Sequence, residues 1–327
     1  MSPASRAVAA APLWAAAQWI GLALTPVLLV ALVFWPRPAL ELLWYVVIPV
    51  LPATFLVSAQ IWRNVCPLAT LNTLTGNRIG SRRLDALWMR SMGGAGVLLL
   101  TVMVPARRFV FNTDGPVLAL TVLAVALLAL IGGIFFDKKG GFCNAVCPVL
   151  PVERLYGQRP LLRVPNTRCQ PCSSCTRIGC LDLAPQRSVL RMLGEAYMSR
   201  RWVVTAYGAF ALAFPGFVAA YYLLEDGPPS TALQVYGSVL IWSAGSWLAL
   251  STVFLLLRVP SARALLLCAA LAVGLYYWFV PAGIAGTFGL PMSFTWGVRA
   301  LSLTLVGFWL SRALVDPPRA RQYPPSR

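Results

Sequence analysis

The feature most able to do chemistry is a run of closely spaced cysteines, Cys169, Cys172, Cys175 and Cys180, with the spacing C-x2-C-x2-C-x4-C. Three thiolates on one tight loop can hold three corners of a [4Fe–4S] cube, and a fourth cysteine completes it. Backbone N–H groups of such a loop also point at the cluster and offset its negative charge. The spacing therefore predicts an iron–sulfur cluster ligated by Cys169, Cys172 and Cys175.

Two other kinds of cysteine site compete with this interpretation. Structural zinc prefers two C-x2-C pairs separated by a longer spacer, and three cysteines spaced this closely match a cube better. A set of disulfides is disfavoured because the charge pattern described below puts these thiols in the reducing cytoplasm. We therefore expect an iron–sulfur cluster, with zinc and a redox disulfide as the alternatives.

The fourth ligand and the use of the other cysteines stay open at this point. In bacterial ferredoxins the last cysteine of the C-x2-C-x2-C-x3-C-P run ligates the other cluster. Here the spacer has four residues and Leu181 replaces the proline. Either Cys180 or Cys147 can therefore complete the cluster. Cys66, Cys143 and the cysteine left over can hold a second cluster with one non-cysteine ligand, or they can form a redox-active thiol group.

The absence of histidine narrows the chemistry further. Transmembrane haem held by histidine pairs is excluded, and so are histidine-ligated copper and zinc. A Ser–His or Cys–His catalytic pair is excluded as well. Metal chemistry in this chain must therefore depend on cysteine, and we expect no haem.

The elements that must position these cysteines are membrane spans. Of the 327 residues, 58% are hydrophobic and only 11% are charged, whereas soluble proteins average about 25% charged residues. A helix needs roughly 20 apolar residues to cross a bilayer. The chain contains eight apolar runs of about this length, which predict an all-α polytopic membrane protein. Cys268 lies in the seventh run and is interpreted as a small buried side chain, and Pro105 is expected to end the third. The eight predicted spans are about 13–35, 40–61, 88–106, 116–136, 202–223, 235–257, 264–287 and 294–313.

The distribution of charge predicts the orientation. The net charge is +17, which in a soluble protein would suggest nucleic acid, but here the basic residues lie between the apolar runs. With the N-terminus inside, 23 of the 27 Lys and Arg residues fall on the inner side. The positive-inside rule then predicts a bacterial inner-membrane protein with both termini and the cysteine-rich segment in the cytoplasm, and no nucleic-acid partner.

The segment 137–201 is the only stretch long enough to form a small domain outside the membrane, and it contains six of the eight cysteines. We expect it to be a ferredoxin-like iron–sulfur insertion. It would separate helices 1–4, in residues 1–136 with a loop at 62–90, from helices 5–8, in residues 202–313. Residues 314–327 are rich in Pro and Arg and are expected to form a disordered tail.

Two inner loops match at an offset of 81 residues and indicate an internal duplication. One reads Val65-Cys66-Pro67-Leu68 and the other Val146-Cys147-Pro148-Val149, and each continues with apolar residues at helical spacing, then Gly, an amide and Arg. Each loop predicts a short helix along the membrane surface, with Pro in its first turn and Gly near its end. The copies differ at Cys143, which the first copy replaces with Trp62, so only the second contains C-x3-C-P.

Together, the motif Phe142-Cys143-Asn144-Ala145-Val146-Cys147-Pro148 and the cysteines from Cys169 to Cys180 carry a family resemblance. The stretch from about residue 40 to 185 resembles the membrane-bound polyferredoxin family, which includes the NapH and CcoG/RdxA proteins and the C-terminal region of NosR. Members usually contain two C-x3-C-P motifs and two ferredoxin motifs, whereas this chain has one of each and no flavin-attachment motif. The resemblance implies electron transfer between a membrane donor such as quinol and a partner redox enzyme.

We therefore expect a membrane-bound electron-transfer subunit or accessory of an oxidoreductase, with one [4Fe–4S] cluster and the option of a second. The expected partners are membrane lipid, quinol or another membrane donor, and a redox protein such as an acidic ferredoxin that the basic inner surface would attract. A maturation factor that reduces a metal or a disulfide for another membrane enzyme is the second hypothesis. A transporter or scaffold with a purely structural metal site is the third.

Overall fold

The computed structural model describes residues 3–162, 164, 169, 172–176 and 179–315, and in that part of the chain it is all-helical, with no β-strand beyond isolated bridges. Wide π-helical turns at Leu43–Val47 and Arg107–Phe111 join neighbouring helices into longer spans. The α-helices are α1 (Pro3–Phe34), α2 (Pro36–Leu42), α3 (Ile48–Val65), α4 (Pro67–Gly76), α5 (Ala86–Ala106), α6 (Gly115–Phe135), α7 (Leu150–Tyr156), α8 (Pro185–Met192), α9 (Ala206–Leu223), α10 (Ala232–Leu256), α11 (Ser261–Phe288) and α12 (Met292–Val315).

Eight helical stretches within the described residues are long and apolar enough to cross a membrane, which confirms the prediction of a multi-pass membrane protein. They are Pro12–Phe34, Pro36–Val65, Ala86–Phe111, Gly115–Phe135, Ala206–Leu223, Pro229–Leu256, Ser261–Phe288 and Met292–Val315.

Five span boundaries differ from the prediction by four residues or more, and two of them show how these helices tolerate proline. The second span begins at Pro36 rather than near residue 40, because a proline in the first turn of a helix lacks only an N–H that would have no partner there. The third span continues past Pro105, because the chain passes into the π-helical turn Arg107–Phe111 instead of leaving the helix. Beyond Val315, the predicted tail lies outside the described residues.

Polar residues at the helix starts explain where several spans begin. The carboxylate of Asp85 accepts a hydrogen bond from the backbone N–H of Trp88 at the start of α5, and Asp114 does the same for Val117 at the start of α6. The hydroxyl of Thr205 accepts from the N–H of Gly208 at the start of α9. Each cap satisfies a backbone donor that the first helical turn leaves open.

The main apolar core lies around α9 and α11, which are the most deeply buried spans. The rings of Phe210, Phe214 and Phe217 follow one another along α9, with centroids 5.1 and 5.7 Å apart. The hydroxyl of Tyr277 on α11 donates to the carbonyl of Pro49 and accepts from the N–H of Ala53. Tyr277 therefore fixes the proline-containing start of α3 against the core.

Short helices follow both Cys-Pro pairs, but they pack inside the bundle. Pro67 is the first residue of α4, which lies along α6 through the amide of Asn72 and the hydroxyl of Thr75. In the second copy, α7 begins at Leu150 rather than at Pro148, and all seven of its residues are buried. The expectation that such helices lie along the membrane surface is therefore not met by α7, because α3, α5, α8 and α11 surround it.

Candidate functional site

Apart from Cys268, the cysteines gather in two groups where α3 and α6 end and α5 begins. The two matching Cys-Pro loops meet there, although their cysteines are 81 residues apart in sequence. The three-cysteine group is Cys66, Cys143 and Cys147, whose thiols are electrostatic neighbours and share one apolar cluster. The four-cysteine segment contains Cys169, Cys172, Cys175 and Cys180, and the thiols next to Cys175 are those of Cys180 and Cys169.

The three-cysteine group lies between helices rather than on a loop outside them. A Cβ atom on Gly96 would lie 3.0 Å from the carbonyl oxygen of Cys147, so only glycine lets the C-x3-C-P loop approach α5 this closely. Gly96 is ten residues from Ala86, which at about 1.5 Å per residue is roughly 15 Å along the helix axis. The loop therefore reaches deep into the bundle.

The four-cysteine segment is attached to the end of the bundle by its central part. The backbone N–H of Leu84 donates to the carbonyl of Cys175 at 2.9 Å. Ser174 has a φ of 53°, in the left-handed region, and this turns the chain sharply between Cys172 and Cys175. Cys172 is exposed whereas Cys175 is buried. The segment thus presents one thiol to the surroundings and one to the protein interior.

A buried guanidinium connects the two groups. Arg63, three residues before Cys66, donates to Asp182 at 2.7 Å and to Glu153 at 2.9 Å, and all three side chains are at most 4% exposed. Asp182 follows Cys180 by two residues, and Glu153 lies in α7. Although burial alone would raise the pKa of the Asp182 carboxyl, Arg63 and Lys139 hold it well below its usual range. The buried Asp182 side chain is therefore ionised because Arg63 and Lys139 lie beside it.

Among the described residues, the buried charged side chains near the cysteines include one more cation than anion. The ammonium of Lys139 lies 3.0 Å from Asp182 and is fully buried. Arg154 is 1% exposed, and its guanidinium donates to the hydroxyl of Ser188 and to the sulfur of Met192. Burial lowers the pKa of Arg154 to about 10, which leaves it charged at neutral pH. In this described part of the site, three buried cations thus accompany the two carboxylates that pair with Arg63, and an anionic group at the thiols would balance the excess.

Asn144, between Cys143 and Cys147, is bonded through all of its polar groups. Its side-chain oxygen accepts from Arg63 at 2.7 Å, and its side-chain nitrogen donates to the sulfur of Cys175 at 3.5 Å. Its backbone N–H donates to the carbonyl of Lys139, and its own carbonyl accepts from Arg154. Because a guanidinium only donates, the contact with Arg63 fixes which end of the amide faces the sulfur.

Burial makes these sulfurs neutral thiols when no metal is bound. It raises the pKa of Cys143 and Cys175 to about 12 and that of Cys180 to about 11. The pKa of Cys147 also rises well above its usual value for the same reason. Thiolate formation at these positions therefore requires a bound cation or metal, since metal binding deprotonates a coordinating thiol outright.

The cysteines are residues that can ligate a metal group as thiolates, but their side chains do not converge on one point in this structure. Across the described ranges, no three cysteine or carboxylate side chains meet closely enough to hold a metal ion. In the same part of the chain, the buried hydroxyls of Ser173 and Thr176, on either side of Cys175, have no hydrogen-bond partner. The backbone N–H of Lys139 donates to the sulfur of Cys175, as the Asn144 amide does. Polar groups thus surround Cys175 in the way an anionic sulfur requires.

Sequence reasoning missed the charged residues of this site. Arg63, Lys139 and Arg154 were counted among the inner loop charges, and Asp182 and Glu153 carried no motif. One signal was present, because Arg63 and Asn144 occupy matching positions of the two loops at the offset of 81 residues. The fold brings these two side chains, from matching positions of the two loops, into contact.

Cys268 and the far end of the bundle take no part in this arrangement. Cys268 is 1% exposed in the main core. At the opposite end, a cavity of about 410 Å³ is bordered by Trp44 and Asp226, and Asp226 forms an ion pair with Arg108. Comparisons of this chain with family models, with curated proteins and with solved structures give no match.

Proposed function

We propose that this chain is a membrane-bound electron-transfer protein in which Cys169, Cys172, Cys175 and Cys180 ligate one [4Fe–4S] cluster. The observation that carries the proposal is the environment of Cys175. Two N–H groups, from Asn144 and Lys139, donate to its sulfur within a buried region that has an excess of positive charge. A neutral thiol is a weak acceptor, whereas a metal-bound thiolate is an anion that accepts such bonds strongly.

Electrostatic contacts support Cys180 over Cys147 as the fourth ligand. Among the thiols, that of Cys180 has the largest electrostatic effect on the pKa of Cys175. The thiols that act on the pKa of Cys147 are instead those of Cys143 and Cys66. The three-cysteine group is then the place for a second iron–sulfur cluster with one non-cysteine ligand, or for a redox-active thiol group. Its contact with Gly96, well inside α5, supports a location nearer the lipid phase than that of the four-cysteine segment, which contacts Leu84 just before α5.

The chemistry that the cluster supplies when bound is reversible one-electron transfer. This chain's residues bury the ligands on one side, leave Cys172 exposed on the other, and donate hydrogen bonds to sulfur. In the proposed function, electrons pass between a membrane donor such as quinol and a partner redox enzyme, as in the polyferredoxin family that the motifs resemble. The excess of Lys and Arg on the predicted inner side of the spans supports a bacterial inner membrane, with both termini and the ferredoxin-like segment in the cytoplasm.

Serine variants of single cysteines test the ligand assignment. Cys172→Ser removes a thiolate from an exposed position where little packing is lost, so we expect loss of most iron or a three-iron form, with electron transfer abolished. Cys268→Ala is the control and is expected to leave the cluster spectrum unchanged. Cys180→Ser should behave like Cys172→Ser, while Cys147→Ser keeps a four-iron signal. Full iron and an unchanged spectrum in Cys172→Ser would show that the ferredoxin assignment is wrong.

A further inference from the structure

We infer that Asn144 is a positioning residue that tunes the redox centre at Cys175 and couples it to the three-cysteine group. This inference rests on the proposed function, because it requires Cys175 to act as a thiolate ligand. Asn144 lies between Cys143 and Cys147 in sequence, and its side-chain nitrogen contacts the sulfur of Cys175 at 3.5 Å. Its side chain thus joins the C-x3-C-P loop directly to the four-cysteine segment.

The contacts of Asn144 leave it no freedom to turn away from the sulfur. It is 1% exposed, and Arg63 holds its side-chain oxygen from the opposite side at 2.7 Å. Its backbone is held by Lys139 and Arg154. Rotation of the amide would place its N–H groups against the guanidinium of Arg63, where donor would face donor. The amide therefore points one N–H at Cys175 permanently.

Arg63 also makes the amide a stronger donor. A cation on the carbonyl end of an amide polarises the whole group, and hydrogen bonds that share one polar group strengthen one another in a low-dielectric interior. The same guanidinium contacts Asp182, next to Cys180, and the carbonyl of Cys143. A change in charge at the three-cysteine group thus reaches Cys175 through Cys143, Arg63 and Asn144, over contacts no longer than 3.5 Å.

The expected consequence is a shift in the reduction potential at Cys175. Hydrogen bonds to cluster sulfurs stabilise the reduced form and raise the potential. Asn144→Asp keeps the size of the side chain and an acceptor for Arg63, but it removes the N–H donor and adds a negative charge beside the sulfur. The potential of Asn144→Asp should therefore be more negative than that of the wild type, and the Fe–S stretching frequencies should change.

The matched control is Asn72→Asp. Asn72 is also a fully buried amide, but it donates to the backbone carbonyl of Ala129 and not to a sulfur. Both variants lose one buried amide donor. The side-chain oxygen of Asn72 has no hydrogen-bond partner among the described residues, whereas that of Asn144 accepts from Arg63, so Asn72→Asp should lose at least as much stability as Asn144→Asp. Only Asn144→Asp should move the potential in a redox titration followed by EPR. A potential equal to that of the wild type, in Asn144→Asp protein with full iron, would overturn the inference.

Cobalt loading keeps this test separate from that of the proposed function. If the full-length protein binds cobalt through thiolates but assembles no iron–sulfur cluster, the proposed electron-transfer function fails. The inference is then tested by the thiolate-to-cobalt absorption band, which should move to longer wavelength in Asn144→Asp and stay in place in Asn72→Asp. An unmoved band would overturn it. Protein that binds neither metal would overturn both proposals.

Discussion

Replacing Arg63 with methionine tests whether the buried ion network holds the cysteine groups together. The substitution keeps an unbranched side chain but removes the cation between Glu153 and Asp182, whose side chains are 4% and 1% exposed. Breaking a buried ion pair by deleting one partner costs about 3–5 kcal/mol, because the remaining charge stays uncompensated. Asp182 keeps Lys139, whereas the cation that contacts Glu153 is lost. We therefore expect Arg63→Met to lower the free energy of unfolding by about 3–5 kcal/mol.

Two further variants separate charge from packing. In Arg63→Met/Glu153→Gln the uncompensated carboxylate is gone, so the double variant should recover about 1 kcal/mol or more relative to Arg63→Met. Arg37→Met is the control. The ion pair of Arg37 with Glu41 measures 3.1 Å, similar to the 2.9 Å between Arg63 and Glu153, but the side chain of Arg37 is 90% exposed. Loss of an exposed pair should cost about 0–1 kcal/mol.

Reversible unfolding in mixed detergent micelles, followed by circular dichroism, measures these differences. The reasoning is refuted if Arg63→Met is as stable as Arg37→Met, or if adding Glu153→Gln lowers the stability further. Either result would mean that water or lipid headgroups reach the network and screen its charges.

Two other predictions concern the helices around the site. In Gly133→Ala the new methyl group would overlap the backbone of α4 at Asn72, so we expect α4 to separate from α6 and the yield of folded protein in size-exclusion chromatography to fall sharply. Gly94→Ala, where the methyl group meets open space, should behave as the wild type. Equal yields of the two variants would contradict the packing of α4 against α6. Reporter fusions after Arg78 and after Gly227, at opposite ends of the bundle, should give cytoplasmic activity for the first and periplasmic activity for the second. A periplasmic signal after Arg78 would reverse the proposed orientation and make disulfides plausible again.

The sequence predicted the spans because hydropathy depends on local composition. Long apolar runs must be helical in a membrane, where each backbone group needs a partner within its own segment. The end of the third span was misplaced because Pro105 was treated as a stop, whereas proline is tolerated beside a π-helical turn. The start of the second span was placed too late, although a proline such as Pro36 is tolerated in a first turn. The burial of α7 was missed because its apolar residues at helical spacing suggested a helix with one face on the membrane surface. In the structure Arg63, from α3, pairs with Glu153 and so compensates a charge that α7 buries.

The cysteines of the candidate site could be named from the sequence, whereas its buried charged residues could not. Cysteine spacing is a local signal, so Cys169, Cys172 and Cys175 could be named from two short intervals. The contact of Arg63 with Asp182 joins residues 119 apart, and no local pattern encodes it. Counting basic residues for the positive-inside rule treats every arginine as a loop charge, and Arg63 at 3% exposed is an exception.

Iron and acid-labile sulfide counts on anaerobically purified protein, combined with EPR of the reduced form, test the proposed electron-transfer function most directly. We expect brown protein with about four iron and four sulfide atoms per cluster, and an EPR signal that appears on reduction by one electron and disappears on reoxidation. Stoichiometric zinc without acid-labile sulfide, in protein never exposed to air, would contradict the account and favour a structural metal site.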